Sequence, residues 1–512
     1  MLDTILRAAT IAVLTSTMSP PVLSSGAEPP LDIGSRRELL LDGANFSKIE
    51  NLSFRLHSPV PAEKVLEFDA PWEGQKYFGI SAVGYVTVFH DQDRYRMYYA
   101  SWFGHRLKPG DPSRQFTCYA ESNDGIHWRK PNLGVVEFEG SKQNNILRQG
   151  GRTSHNFAPF IDSKPGIPAD ERYKAVGGNG KAFVFASADG MTWRKLHEDP
   201  VLTGEEPAFD RHGAWRWGNN PKAERAILDS LNVSFWDARA GHYVLFFRAY
   251  IHGKLRNGRG RSNVMRYVFR CTSKDFRNWS EPAPIRFDEP PRQWRHELYT
   301  TGLHPYFRAR HLYVGFPLRS IPRTPLAGTS SGLGESAFLF SRDTEEFRIF
   351  AEPFLPSGRD HRNWTKHGNM MAWGILHTAD DELSVYFMQH DHQDTTHLRR
   401  GVLRVDGFVS LHAHPYEWGE ATTRPLVFDG KRLEINASTT ASGDLFATIL
   451  DAQTGEAIEG FEKSQEFYGD KISHTVVWPS GEDVSGLAGR PLRVRFQMRG
   501  ADLYAFRFTP NE

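Results

Sequence analysis

The chain has 512 residues, 39% hydrophobic and 13% aromatic, enough for one large domain with a smaller one beside it. Its 62 Lys and Arg offset 61 Asp and Glu, and the resulting charge of +1 excludes a strongly basic nucleic-acid or membrane-surface protein. Two cysteines exclude a disulfide scaffold; Cys118 and Cys271 fall in similar strands of different repeats and are expected as two buried thiols.

Residues 1–27 open with a short apolar run carrying one Arg and pass into Ser, Pro and Gly, the pattern of a signal peptide. A secreted or periplasmic protein is therefore expected, and no other stretch approaches transmembrane length. From residue 37 a repeat begins. Apolar strands run into Ser-x-Asp followed four residues later by an aromatic ring: Ser122-Asn-Asp124…Trp128, Ser187-Ala-Asp189…Trp193, Ser273-Lys-Asp275…Phe-Arg-Asn-Trp279 and Ser341-Arg-Asp343…Phe347. The aspartates at 124, 189, 275 and 343 are 65, 86 and 68 residues apart, a fixed motif on a loose period that marks a repeat architecture. Ser and Asp side chains close tight turns on nearby amides, and Gly supplies positive φ in two copies.

A second repeat interleaves with the first. Hairpins read 84–89 to 95–99, 157–161 to 173–176, 233–236 to 243–247, 304–307 to 312–316 and 370–376 to 383–387. Five inner hairpins against four outer turns predict an all-β, five-bladed β-propeller over 37–414. Its last blade is expected to be closed by an early strand such as Leu52-Ser-Phe-Arg-Leu56. Short strands between polar turns then predict a β-sandwich over 415–512.

Residues just before an inner strand crowd one mouth of a propeller, and they are the candidates for chemistry. Blade three begins with Asp229 and blade four with Glu297, two acids at matching places. Cleavage of a glycosidic bond needs such a pair. Asn232 and Tyr299 neighbour these acids, and Trp72 with Glu73 precedes blade one as a stacking ring and a third acid. His155 and Asn156 precede blade two, and His367 and Asn369 precede blade five, placed to bond sugar hydroxyls. Asp162 ends an inner strand in a turn and reads as structural. The cluster His390-Asp-His392-Gln-Asp394-Thr-Thr-His397 has metal-like composition without settled ligand spacing and reads as a solvated loop, so no metal or cofactor is expected. The Gly-rich basic run containing Arg256, Arg259 and Arg261 would favour an anionic sugar or phosphate if it folds over the channel.

These five hairpins, the two acids and the following strands resemble the five-bladed propeller glycoside hydrolases, a superfamily that includes fructan hydrolases, arabinanases and mannoside phosphorylases. Pro71-Trp-Glu-Gly74, Tyr95-Arg-Met-Tyr-Tyr99, Asp229-Ser-Leu-Asn-Val233, Asn363-Trp-Thr365 and Asp406-Gly-Phe-Val-Ser-Leu-His412 are similar to segments of exported bacterial fructan-hydrolase-like proteins. The resemblance implies an exported glycoside hydrolase acting on a carbohydrate, with Glu297 as general acid, Asp229 as nucleophile or base and Glu73 in support. The alternatives are a non-catalytic sugar-binding propeller and a glycoside phosphorylase.

Overall fold

A computed structural model describes residues 29–74, 83–102, 115–214, 216, 223–252, 264–288, 297–321, 323, 326 and 332–510. The expected leader and the arginines Arg256, Arg259 and Arg261 lie outside these residues. The regular structure of the described residues is almost wholly strand, and its longest helix is the five-residue Pro207–Arg211.

Five antiparallel sheets follow one another as the blades of a propeller. Blade one is Val83–Asp91, Arg94–Trp102, Gln115–Ser122 and Ile146–Gln149. Blade two is Ala158–Ile161, Tyr173–Gly177, Phe183–Ser187 and Arg194–Lys195. Blade three has Val233–Asp237, His242–His252, Val264–Ser273 and Ala283–Pro284. Blade four has His304–Tyr306, Ala309–Gly315, Leu339–Ser341 and Glu346–Ile349, with Arg286–Phe287 added in parallel on its outer edge. Blade five joins Leu376–Ala379, Glu382–Gln389 and His397–Arg404 to Val60–Glu67.

The closing strand is thus Val60–Glu67, not Leu52–Leu56. The latter alternates exposed and half-buried residues and pairs with Val409–Ala413 in a separate sheet. That sheet has ten strands, four drawn from residues 31–56 and six from residues 409–509, so the expected boundaries at 37 and 414 do not follow its strand pairing. Its core gathers around Trp478, Phe496 and Phe508. A further cluster joins Leu39 and Ala505 of this sheet, with Leu41 just beyond its strand, to Phe338, Phe387 and Phe408, seating it against blades four and five.

The Ser-x-Asp turns fold as their chemistry requires. Ser122 Oγ accepts the amides of Asp124 (3.2 Å) and Gly125 (2.9 Å), and Asp124 Oδ1 accepts those of Ile126 and His127 (both 2.8 Å). The other three copies repeat the set. The residue after the aspartate is left-handed each time: Gly125 and Gly190, then Phe276 (φ 64°) and Thr344 (φ 68°). The two later copies therefore hold a side chain where glycine is favoured.

At the far end of the inner strands a second device joins neighbouring blades. Tyr173 Oη donates to Asp91 Oδ2 (2.5 Å), Tyr243 Oη to Asp162 Oδ2 (2.5 Å) and Tyr313 Oη to Asp237 Oδ2 (2.6 Å). Each aspartate ends or follows one inner strand, and each tyrosine lies on the next blade's second strand. Asp162 is structural, as its turn implies. At the centre, the Val88 amide donates to Trp373 O and the Trp373 amide to Val86 O (both 2.8 Å), tying blade five to blade one. Cys118 and Cys271 are buried free thiols in strands of different blades.

Candidate functional site

The residues that precede inner strands share one rim of the ring, opposite the Asp–Tyr contacts. Second strands end and third strands begin on that same rim because the blades are antiparallel. A polar cluster forms there around Tyr299.

Asp229 is set in place by a backbone that ordinary residues avoid. Leu228 stands at φ 64°, a conformation costing about 1–2 kcal/mol for a non-glycine residue. Its amide donates to Arg248 O (2.8 Å), and its carbonyl accepts from Asn232 Nδ2 (2.8 Å) and from Asn156 Nδ2. Asn156 also holds Gly178 O (2.9 Å). The asparagines, both fully buried, use their amide nitrogens to hold the backbone next to Asp229. The Asp229 carboxylate faces Arg248 Nη2 at 2.9 Å and accepts from Asn179 Nδ2 at 3.4 Å, with its side chain 31% exposed.

Glu297 follows the same plan one blade on. Its carbonyl accepts the Ser320 amide (2.8 Å), and its carboxylate accepts from Arg266 Nη1 (2.8 Å) with 14% of the side chain exposed. Burial raises its pKa above the usual glutamate value although Arg266 pulls the other way.

Tyr299 links the two acids. The Arg248 guanidinium lies 4.8 Å from its ring centroid and that of Arg266 5.5 Å, so each acid's arginine stacks on the same ring. Both arginines also lie over Tyr250, at 4.9 and 5.5 Å. Tyr299 Oη pairs with Tyr85 Oη at 2.8 Å. Burial, then Asp229, raises the Tyr299 pKa, keeping the phenol neutral against the pull of Arg248. Burial works against the Arg248 charge, and Tyr250, Asp229, Tyr299 and Tyr85 more than restore it, so the guanidinium stays charged. Lys366 Nζ completes the group 5.6 Å over Tyr299. Its pKa is lowered by burial and by Arg266 and Arg248, and among the described residues no carboxylate stands within ion-pair distance of it. Three cations therefore surround two carboxylates.

His367 adjoins the cluster, its ring 4.8 Å from Tyr299. Among the side chains described, the remaining expected residues do not join it. Glu73 is fully buried and accepts from Tyr99 Oη (2.6 Å), Lys130 Nζ (2.8 Å) and the Ala70 amide (2.8 Å), an internal anchor of blade one. Trp72 donates from Nε1 to Asn145 Oδ1 (2.8 Å) and packs edge-on to Phe138. Asn369 is buried, donating to Pro356 O (2.8 Å) and accepting from Gln389 Nε2 (3.3 Å). His155 closes the single helical turn Arg152–His155, and its side chain is not among those described. Sequence reasoning missed Tyr85, Arg248, Tyr250, Arg266 and Lys366. A signal was present in Arg248, an arginine within the apolar run Val244-Leu-Phe-Phe-Arg-Ala249.

No family model matches the chain. The uncharacterized protein Rv1502 of Mycobacterium tuberculosis strain H37Rv is 27% identical over 157 residues, which is 28% of this chain and 48% of that protein. A relative from strain CDC 1551 gives the same figures, so the match spans about half the length of these curated relatives. Among solved structures, a glycoside hydrolase is 15% identical with a TM-score of 0.41, covering 70% of this chain and 92% of that one. The β-1,2-mannobiose phosphorylase of Listeria innocua is 10% identical with a TM-score of 0.41, covering 67% and 94%. The catalytic domain of an α-L-arabinofuranosidase from Coprinopsis cinerea is 12% identical with a TM-score of 0.35, covering 68% and 99%.

Proposed function

We propose that the protein is a carbohydrate-active enzyme that cleaves a glycosidic bond at the Tyr299 rim. The observation that carries this reading is the convergence of Asp229 and Glu297, each from the segment before an inner strand of adjacent blades, on one tyrosine through two stacked arginines. Their environments differ in the way acid catalysis needs. Glu297 is the more buried and is pushed toward its protonated form, so it gives a proton to the departing glycosidic oxygen. Arg266 at 2.8 Å then stabilises the carboxylate left behind. Asp229, more open and paired with a permanently charged arginine, acts as the carboxylate that attacks the anomeric carbon or takes a proton from the water that does. Tyr85 and Tyr299 offer phenol groups to sugar hydroxyls. On this reading the ten-stranded sheet is an accessory β-sandwich, and the leader exports the enzyme to its polysaccharide.

Phosphorolysis is the second reading, favoured by the third cation. Lys366 beside Arg248 and Arg266 could seat a phosphate that replaces water as the attacking group. Wild type and Glu297→Gln, assayed on plant and algal oligosaccharides with and without phosphate, test both. A loss of about 10²–10⁴ in kcat without phosphate supports hydrolysis. Activity seen only with phosphate selects phosphorolysis, and equal activity of the two proteins removes Glu297 as the acid.

A further inference from the structure

We infer that His367, Asp391 and His392 form a binding site for a divalent first-row metal ion of the zinc class at the edge of the Tyr299 cluster. Asp391 and His392 lie in the loop between the strands Glu382–Gln389 and His397–Arg404, and His367 lies in the turn leading into blade five. His367 Nδ1 stands 3.1 Å and His392 Nε2 3.7 Å from Asp391 Oδ2, and one ligand atom from each residue fits within 4.8 Å of the others. Metal bonds of about 2.0–2.1 Å in a tetrahedral array place ligand atoms roughly 3.3 Å apart, so these separations fit three ligands of one ion with a position left open.

A second observation points to a missing occupant. Asp391 is 2% exposed, and no donor is aligned with its Oδ2 despite the nearby ring nitrogen. Native interiors rarely leave a buried carboxylate oxygen without an aligned donor, and a cation held between Asp391 Oδ2, His367 Nδ1 and His392 Nε2 would occupy it. Two imidazoles with one carboxylate favour zinc and its neighbours over calcium or magnesium, which take oxygen ligands.

The surrounding loop is fixed in advance. Thr396 Oγ1 donates to His390 O and Gln393 O (both 2.6 Å), Gln393 Nε2 donates to Arg362 O (2.8 Å), and His390 Nε2 pairs with Asp360 Oδ2 (2.9 Å). His390 and His397, the other histidines of the motif, thereby belong to the loop's own framework, His397 through Thr395 O (2.9 Å). The ligand set could not be read along 390–397, because its third member comes from the turn at 367. The inference does not depend on the proposed glycosidic chemistry.

The test is zinc content. Wild type, Asp391→Asn and His392→Asn, each stripped with chelator and equilibrated with Zn²⁺ against a weak competitor, are assayed for metal per chain and for the zinc-induced rise in Tm. His392 is partly exposed and left-handed (φ 59°), a conformation Asn accepts, so that variant retains its fold. One zinc per wild-type chain, with binding at least tenfold weaker in both variants, is expected. No bound zinc in wild type, or equal zinc in wild type and His392→Asn, overturns the site.

Discussion

Replacing Tyr313 by Phe deletes one hydroxyl at the junction of blades three and four and leaves the ring in place. Tyr313 and Asp237 are both buried, so the 2.6 Å bond between them is charge-assisted and shielded from water. Such bonds contribute about 1.5–3 kcal/mol. The other oxygen of Asp237 keeps the Arg239 and Ala240 amides (3.0 and 3.1 Å), and the Arg239 guanidinium lies 5.9 Å from the Tyr313 ring centroid. Among the described residues Oδ2 accepts from no other donor, so the upper part of that range, about 2–3 kcal/mol, is expected. The equivalent change at blade two differs. Asp162 Oδ2 retains Lys174 Nζ at 2.6 Å when Tyr243 loses its hydroxyl, so Tyr243→Phe should cost only about 1 kcal/mol. Asp91 retains Arg96 Nε at 2.6 Å and Arg172, which places Tyr173→Phe with Tyr243→Phe. Urea unfolding of the three variants, followed by tryptophan fluorescence and far-ultraviolet dichroism, measures the order. Equal losses at all three junctions, or a larger loss for Tyr243→Phe than for Tyr313→Phe, would refute this account of the contacts.

Asn156→Ala removes the side chain that holds Leu228 O and Gly178 O; Leu228 O keeps Asn232 Nδ2, but Gly178 O loses its side-chain donor, at a cost of about 1–3 kcal/mol. Because the same change loosens Asp229, turnover on the substrate found by the oligosaccharide screen should fall at least tenfold in protein still folded by dichroism; a folded variant with full turnover counts against the positioning role. His304 is held neutral by burial, its pKa lowered from 6.5 to about 4. A depressed folded-state value means stability present above pH 6.5 and lost as pH falls toward 4, and His304→Gln should flatten the unfolding midpoint across that window. An unchanged slope would place the acid sensitivity elsewhere.

Local chemistry made the blades legible. Each Ser-x-Asp turn bonds within seven consecutive residues, so its signal survives in the sequence whatever surrounds it. The acids Asp229 and Glu297 were legible because they sit just ahead of an inner strand. What the acids meet was not legible, because Arg248, Arg266 and Lys366 come from other strands and turns and are brought in by blade packing. Asn156 and Asn232 show the same limit from the other side, since their polar side chains look available until Leu228 O is seen to occupy them. The closing strand hid for a related reason. Val60–Glu67 carries Pro61, Glu63, Lys64 and Glu67, the composition of an edge, and only its pairing with His397–Arg404 reveals it as part of the ring.

That pairing sets a timetable for the chain as it is made. Glu63 meets Arg400 across 337 residues, so the strand leaves the ribosome with its partner not yet synthesised. At 5–20 residues per second the wait is roughly 20–70 s. Blades one to four, built from contacts between near neighbours, can assemble in sequence during that interval. The first strand of the future fifth blade must meanwhile stay unpaired, and its proline and charges are what keep it from joining another sheet.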